Sequence, residues 1–287
     1  MATYVGSEGS SLHYEDRGSG EALIYLAGGA GRNPDYLTDF GGLGKGHRVI
    51  VPHLRSVGRS PVPLDPQRGS YWYQAQDLEA LRTHLGLDQL AIVAHSAGTR
   101  LAIAYASQYP DMVARMILIT PPSDYLVSVE PDDEEIRARR LGDPTYESAL
   151  SLLLSGARAT TDDELTAWGR ATAPVGYARW NVTEKDHAQL GTYSYRASAD
   201  FRSVDPPSDL ASRLARLTAP VLVIVGSEDG LTGMAPVAAV ALLFAHGSSV
   251  IIQKAGHYPW IERPTDFLAV TEPFLADDLT ERNATRH

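Results

Sequence analysis

Six short apolar runs constrain the fold of this chain more than any other feature. They are Ala22–Ala27, Arg48–Pro52, Gln89–Ala94, Ala114–Ile119, Pro220–Val225 and Ser249–Gln253. A strand that is apolar on both faces must be buried on both faces, which is the condition of a parallel sheet covered by helices. Amphipathic stretches lie between the runs. Asp77–Leu85 puts Leu78, Leu81 and Leu85 on one helical face, and Thr99–Tyr109 and Val237–His246 read as buried or half-buried helices. This alternation predicts an α/β fold with a mostly parallel sheet and helices on both faces. Before the first run, Thr3–Gly6 and Ser11–Asp16 flank turn residues and predict an antiparallel hairpin.

Residues 123–208 break the rhythm, because they hold no apolar β-run. They open on the acidic cluster Glu130–Glu135 and continue with helical patterns at Tyr146–Ser155 and Asp162–Ala171. We read them as a helical cap (lid) inserted after the sixth strand, with residues 1–122 and 209–287 forming the core. The acidic cluster reads as a solvated helix start. The polar last dozen residues are expected to fray.

Composition removes several function classes. The 287 residues include no Cys, so disulfides, thiolate metal sites and a thiol nucleophile are excluded. Net charge is −10 without a basic tract, which is wrong for a nucleic-acid partner. The longest apolar stretch, Met234–Ala245, contains Pro236 and is shorter than the ~20 residues a membrane span needs. The N-terminus shows no signal-peptide pattern. The expectation is a cytoplasmic protein acting on a small-molecule substrate, without nucleic acid, membrane, metal or cofactor, as a monomer or homo-oligomer.

The chemistry concentrates at Val93-Ala-His-Ser-Ala-Gly98, which follows an apolar run and opens a helix. A serine on such a tight turn projects its hydroxyl above the sheet. Its neighbours two before and two after must be small, because strand and helix approach closely there; Ala94 and Gly98 meet that requirement. Serine needs a base. His257 lies in a loop beyond the last apolar run, where sites of α/β sheets form. Asp229, just past the preceding run, is the candidate to orient it; Glu228 beside it and Asp124 are the alternatives. The order Ser, Asp, His fits a nucleophile elbow with its partners. The loop Leu26-Ala-Gly-Gly-Ala-Gly31 offers backbone N–H groups for an oxyanion, with Gly29 and Ala97 as the expected donors. It lacks the Lys and Ser/Thr of a phosphate-binding loop.

These motifs resemble those of the α/β-hydrolase fold superfamily, and the chain is similar to its proline iminopeptidase-like peptidases over about 20–122 and 209–275. Ala27-Gly-Gly-Ala-Gly31 stands where that family has His-Gly-Gly-Pro-Gly. His53-Leu-Arg-Ser-Val-Gly-Arg-Ser60 stands for Asp-x-Arg-Gly-x-Gly-x-Ser. Ala255-Gly-His-Tyr-Pro-Trp-Ile-Glu262 also follows the superfamily pattern. The resemblance implies an eight-stranded α/β-hydrolase core with Ser96 as nucleophile, His257 as base and Asp229 as its orienter. The expected activity is hydrolysis of an ester, lactone, thioester or amide through an acyl-enzyme, with prolyl-aminopeptidase-like activity within that range. The cap lacks the family's amine-binding carboxylate motif, although Glu164, Glu184, Asp186 and Asp200 are available. Gly28, His95, Tyr71, Trp72, Trp168, Trp180 and Tyr193 are the expected substrate-binding residues, each aromatic having packing of cap on core as its competing role. His53, near the site mouth, reads first as structural. Two other functions remain open: non-hydrolytic chemistry such as cyclisation, elimination or C–C cleavage, and a ligand-binding receptor with little turnover.

Overall fold

The computed structural model describes residues 2–276; the C-terminal residues expected to fray lie outside them for the most part. Eight strands form one sheet: β1 (Ala2–Val5), β2 (Ser11–Gly18), β3 (Ala22–Leu26), β4 (Arg48–Pro52), β5 (Leu90–His95), β6 (Val113–Ile119), β7 (Val221–Gly226) and β8 (Gly247–Ile252). Their spatial order is β1-β2-β4-β3-β5-β6-β7-β8. The first two strands are antiparallel to each other, and β2 is antiparallel to β4; all other neighbours are parallel.

Period-two alternation divides the central strands between two cores. Ile24, Leu26, Ile92, Ala94, Met116, Leu118, Val221 and Val223 face one cluster, where α1 (Tyr71–His84) and α2 (Gly98–Gln108) pack with Leu78, Leu81, Leu101 and Tyr105. Leu23, Tyr25, Ala91, Val93, Ile117, Ile119, Leu222 and Ile224 face the other, against Tyr36, Phe40, Trp260 and Phe267. Both faces are therefore covered, which explains why these runs are almost continuously apolar. Replacing a leucine of either core by alanine would cost about 2–5 kcal/mol.

Between β6 and β7 the chain is helical: α3 (Asp133–Ala138), α4 (Pro144–Leu154), α5 (Asp162–Thr172), α6 (Val182–Ala188), α7 (Tyr195–Phe201) and α8 (Leu210–Leu214). Local chemistry starts these helices. Asp143 caps α4 through Thr145 and Tyr146 N–H, Thr161 caps α5, and Asn181 with Glu184 forms a capping box on α6. Asp133, Glu134 and Glu135 occupy the first turn of α3, where carboxylates suit the helix dipole. Asp132 does more than face solvent: its carboxylate accepts the N–H groups of Met234 and Ala235, tying this segment to the loop after β7. After β7 come α9 (Ala235–Ala239), α10 (Pro259–Glu262) and α11 (Pro264–Ala276). Among the described residues, no helix is long and apolar enough to cross a membrane.

His53 is buried and lies 3.4 Å from the Glu15 carboxylate, outside the cavity that contains Ser96. Two residues on, Arg55 makes a two-pronged buried ion pair with Asp77 of α1, at 2.6 and 2.9 Å. This stretch of the motif fastens a loop to the core rather than lining the cavity that contains Ser96.

Candidate active site

Ser96 sits between the end of β5 and the start of α2 with φ of +51°, a strained conformation for a residue bearing a Cβ. Its N–H is fixed by the Ile119 carbonyl at 2.9 Å. A Cβ on Gly98 would lie 2.6 Å from the carbonyl oxygens of both Leu26 and Ala27, so glycine is required where α2 passes under β3. Ala94 is fully buried at the other small position. The turn thus holds its shape by close backbone approach, and the serine bears the strain.

Asp229 and His257 form a buried pair. Asp229 Oδ2 lies 2.7 Å from His257 Nδ1 and also accepts the Thr232 hydroxyl at 2.5 Å; Oδ1 accepts the Leu231 N–H at 2.9 Å. Burial of Asp229 pushes its carboxyl pKa up. The charge interaction with His257 and the hydrogen bonds from His257, Thr232 and Leu231 outweigh that and hold it below the usual carboxylate range. An ionised carboxylate only accepts, so His257 donates its Nδ1–H to it, which leaves Nε2 as the ring nitrogen not engaged by Asp229.

His95, one residue before Ser96, aligns the parts. Burial, then the charges of His257 and Arg32, push its pKa well below the usual histidine range, so the ring is neutral. Its Nε2 lies 2.9 Å from the His257 carbonyl, which can only accept; Nδ1 therefore accepts the Tyr36 hydroxyl at 2.9 Å. Tyr36 Oη in turn accepts the Gly28 N–H at 2.6 Å. One chain of hydrogen bonds joins the glycine loop, the serine turn and the His257 loop. Glu262 braces the His257 loop from the other side. Its carboxylate accepts N–H groups from Gly256, Ala178 and Arg179 at 2.6, 2.8 and 3.2 Å. Burial pushes this carboxyl up to about 7 against the lowering effect of those donors.

Gly29 has φ of +69°, and a Cβ there would meet Arg32 Cβ at 2.8 Å and Tyr193 Cε1 at 2.9 Å. Gly29 and Ala97 both line a cavity of about 490 Å³ that also includes Ser96. Neither donates its N–H to another described residue, unlike Gly28. Arg32 is buried and pairs with no carboxylate among the described residues. Its guanidinium instead donates to the Leu190 carbonyl and to Tyr258 Oη and lies 4.2 Å from the centre of the Tyr36 ring. Through the Arg32–Tyr193 bridge, this residue ties the glycine loop to the segment before α7.

Of the expected substrate-binding residues, Trp168 and Tyr193 line this cavity. Five do not. Gly28 is engaged with Tyr36, and His95 forms the relay described above. Tyr71 is buried at the start of α1 against Phe201 and Tyr125. Trp72 packs on the first core, and Trp180 packs on Tyr177 at 5.4 Å. Aromaticity alone did not separate lining from packing positions. The cavity walls include residues that sequence reasoning had not singled out: Arg100, Thr172, Arg202, Leu231 and Tyr258. Arg100 was detectable, since the first turn of a helix following the serine turn must present a residue toward the same space. The cap carboxylates Glu164, Glu184, Asp186 and Asp200 do not line it. Glu164 and Glu184 cap helices, and Asp200 pairs with Arg196. Glu228 lies near Arg139 at 3.4 Å, and Asp124, on the cavity wall, pairs with Arg100.

Comparison with known proteins agrees with this architecture. The pattern of the alpha/beta hydrolase fold family matches residues 21–264. The chain is 24% identical over 274 residues to a 2-hydroxy-6-oxo-6-phenylhexa-2,4-dienoate hydrolase of Comamonas testosteroni, covering 92% of this chain and 91% of that protein. It is 26% identical to a proline iminopeptidase of Lactiplantibacillus plantarum, covering 88% and 91%. An esterase from Rhodococcus sp. ECU1013 superposes with a TM-score of 0.72 at 20% identity, covering 96% of this chain and 98% of that one.

Proposed function

The chain is an enzyme of the α/β hydrolase fold family, and within that family we propose that it is a serine hydrolase acting through Ser96, His257 and Asp229. The observation that carries this reading is the buried 2.7 Å contact between Asp229 and His257, tied by His95 to a serine held at positive φ. Ser96 Oγ attacks the substrate carbonyl while its proton passes to His257 Nε2. Asp229 holds the Nδ1–H and stabilises the imidazolium. The N–H groups of Gly29 and Ala97 receive the oxyanion; each such donor typically contributes about 3 kcal/mol to the transition state. His257 then protonates the leaving group. Water, activated by the same histidine, attacks the acyl-enzyme and frees Ser96.

The substrate is a small organic ester, lactone, thioester or amide. The mixed lining fits such a molecule: Leu153, Leu165 and Trp168 are apolar, while Thr172, Tyr193 and Thr232 offer polar atoms. The test is a panel of p-nitrophenyl esters beside prolyl and other aminoacyl arylamides, run on wild type and Ser96→Ala. We expect ester turnover that Ser96→Ala abolishes; turnover that persists in folded Ser96→Ala protein would contradict the acyl-enzyme mechanism.

A further inference from the structure

The chain as a whole is acidic, with a net charge of −10, yet the wall of its cavity is not. Among the described residues, the charged side chains on that wall are Arg100, Arg202 and Asp124. Asp124 is already paired: its Oδ1 lies 2.8 Å from Arg100 Nη2, and the same guanidinium lies 3.7 Å from the centre of the Tyr125 ring. Arg202 makes no ion pair among the described residues. It caps the C-terminal end of α7, is exposed to solvent, and lines the cavity together with Ser198. A third guanidinium, Arg32, lies 5.5 Å from the centre of the Tyr193 ring that lines the same space, with no carboxylate partner.

This arrangement discriminates between substrates. A free amine would meet guanidinium groups and find the single cavity carboxylate occupied. A carboxylate would find an unpaired guanidinium able to hold it in a fork. Arg100, whose backbone follows Ala97 by one helical turn, has its guanidinium committed to Asp124 and the Tyr125 ring. We propose that the substrate is anionic, carrying a carboxylate within a few bonds of the scissile carbonyl, with Arg202 as its anchor. The inference rests on the serine-hydrolase reading and narrows its substrate class.

Matched ester pairs test it on the full-length protein. On the acyl side, p-nitrophenyl hydrogen glutarate is compared with p-nitrophenyl valerate. On the leaving-group side, 4-carboxyphenyl butyrate is compared with phenyl butyrate. Prolyl p-nitroanilide supplies the cationic arm. We expect the carboxylated member of at least one pair to have kcat/KM about tenfold higher or more, carried mainly by KM. That ratio should collapse toward parity in Arg202→Gln and shrink as salt is raised. Parity in both pairs, preference for the aminoacyl substrate, or a ratio untouched by Arg202→Gln would each overturn the proposal. Stabilisation of the folded Ser96→Ala protein by the carboxylated esters over their neutral partners reads the anchor independently of turnover. A failed serine mechanism is thereby distinguishable from a failed charge selection.

Discussion

The two sides of the reaction space are built on different principles. On the sheet side, the acid and the histidine beside the serine are each fixed by several hydrogen bonds. Asp229 accepts four hydrogen bonds, and His95 joins the serine turn to Tyr36 and to the His257 carbonyl. On the helical side, the cavity wall is assembled from side chains of three separate stretches, including Leu153, Trp168 and Arg202. These stretches are joined to one another where Tyr193 N–H donates to Thr166 Oγ1 and Tyr195 N–H to Asp162 Oδ1, and to the glycine loop by the Arg32 link to Leu190 and the backbone bonds Asn33–Thr192 and Ser194–Gly31. The hydrogen-bonded acid–base pair and the substrate-facing wall are thus separated in space. Changes on the sheet side should act on kcat, and changes on the helical side on KM and selectivity.

The largest expected effect comes from Asp229→Asn, which cannot hold His257 in the required tautomer. Loss of kcat by about 10⁴-fold with KM little altered is expected from steady-state kinetics. A drop confined to KM would break the division. Gly98→Val should come next, but in stability, because its side chain would clash with two backbone carbonyls; a loss of about 1–3 kcal/mol in denaturant unfolding is expected. Tyr36→Phe removes the link between Gly28 and His95 while leaving the ring packing, and should lower kcat about tenfold with a smaller change in KM. Trp168→Ala should do the reverse, raising KM several-fold for bulky esters with kcat preserved. If it lowered kcat as far as Asp229→Asn does, the two regions would not be functionally separate.

The smallest effect is a pH dependence at the brace between them. Glu262, with its carboxyl raised to about 7, binds a proton in the folded state before the unfolded chain does. Its titration therefore favours the fold as pH falls from about 7 toward the ordinary carboxylate range, and disfavours it above 7. Glu262→Gln removes that contribution. Its melting temperature should fall further below wild type at pH 5 than at pH 8; an equal offset at both would contradict the linkage.

The difference between the regions also explains what could be read from the sequence. The strands were legible because parallel pairing under two helical layers forces near-continuous apolar runs, as in Leu90–His95 and Val221–Gly226. The serine turn was legible because close backbone approach admits only small residues at 94 and 98. Asp229 and His257 stood out because each follows a strand end. The helical side has no comparable periodic rule. Tyr71 and Trp72 pack into the core while Tyr193 lines the cavity, and nothing in residue type separates them. Arg202 and Tyr258 reach the cavity only because of tertiary placement. Gly28 and His95 sit in the right motifs, and the structure links both to Tyr36, which is distant from His95 in the chain.

The central claim is that Ser96 is the nucleophile. Intact-protein and peptide mass spectrometry after exposure to a fluorophosphonate tests it most directly. A single adduct on the peptide carrying Ser96, absent in a folded Ser96→Ala protein, is predicted. A folded wild-type protein that stays unlabelled, or carries the adduct on another residue, would contradict the account.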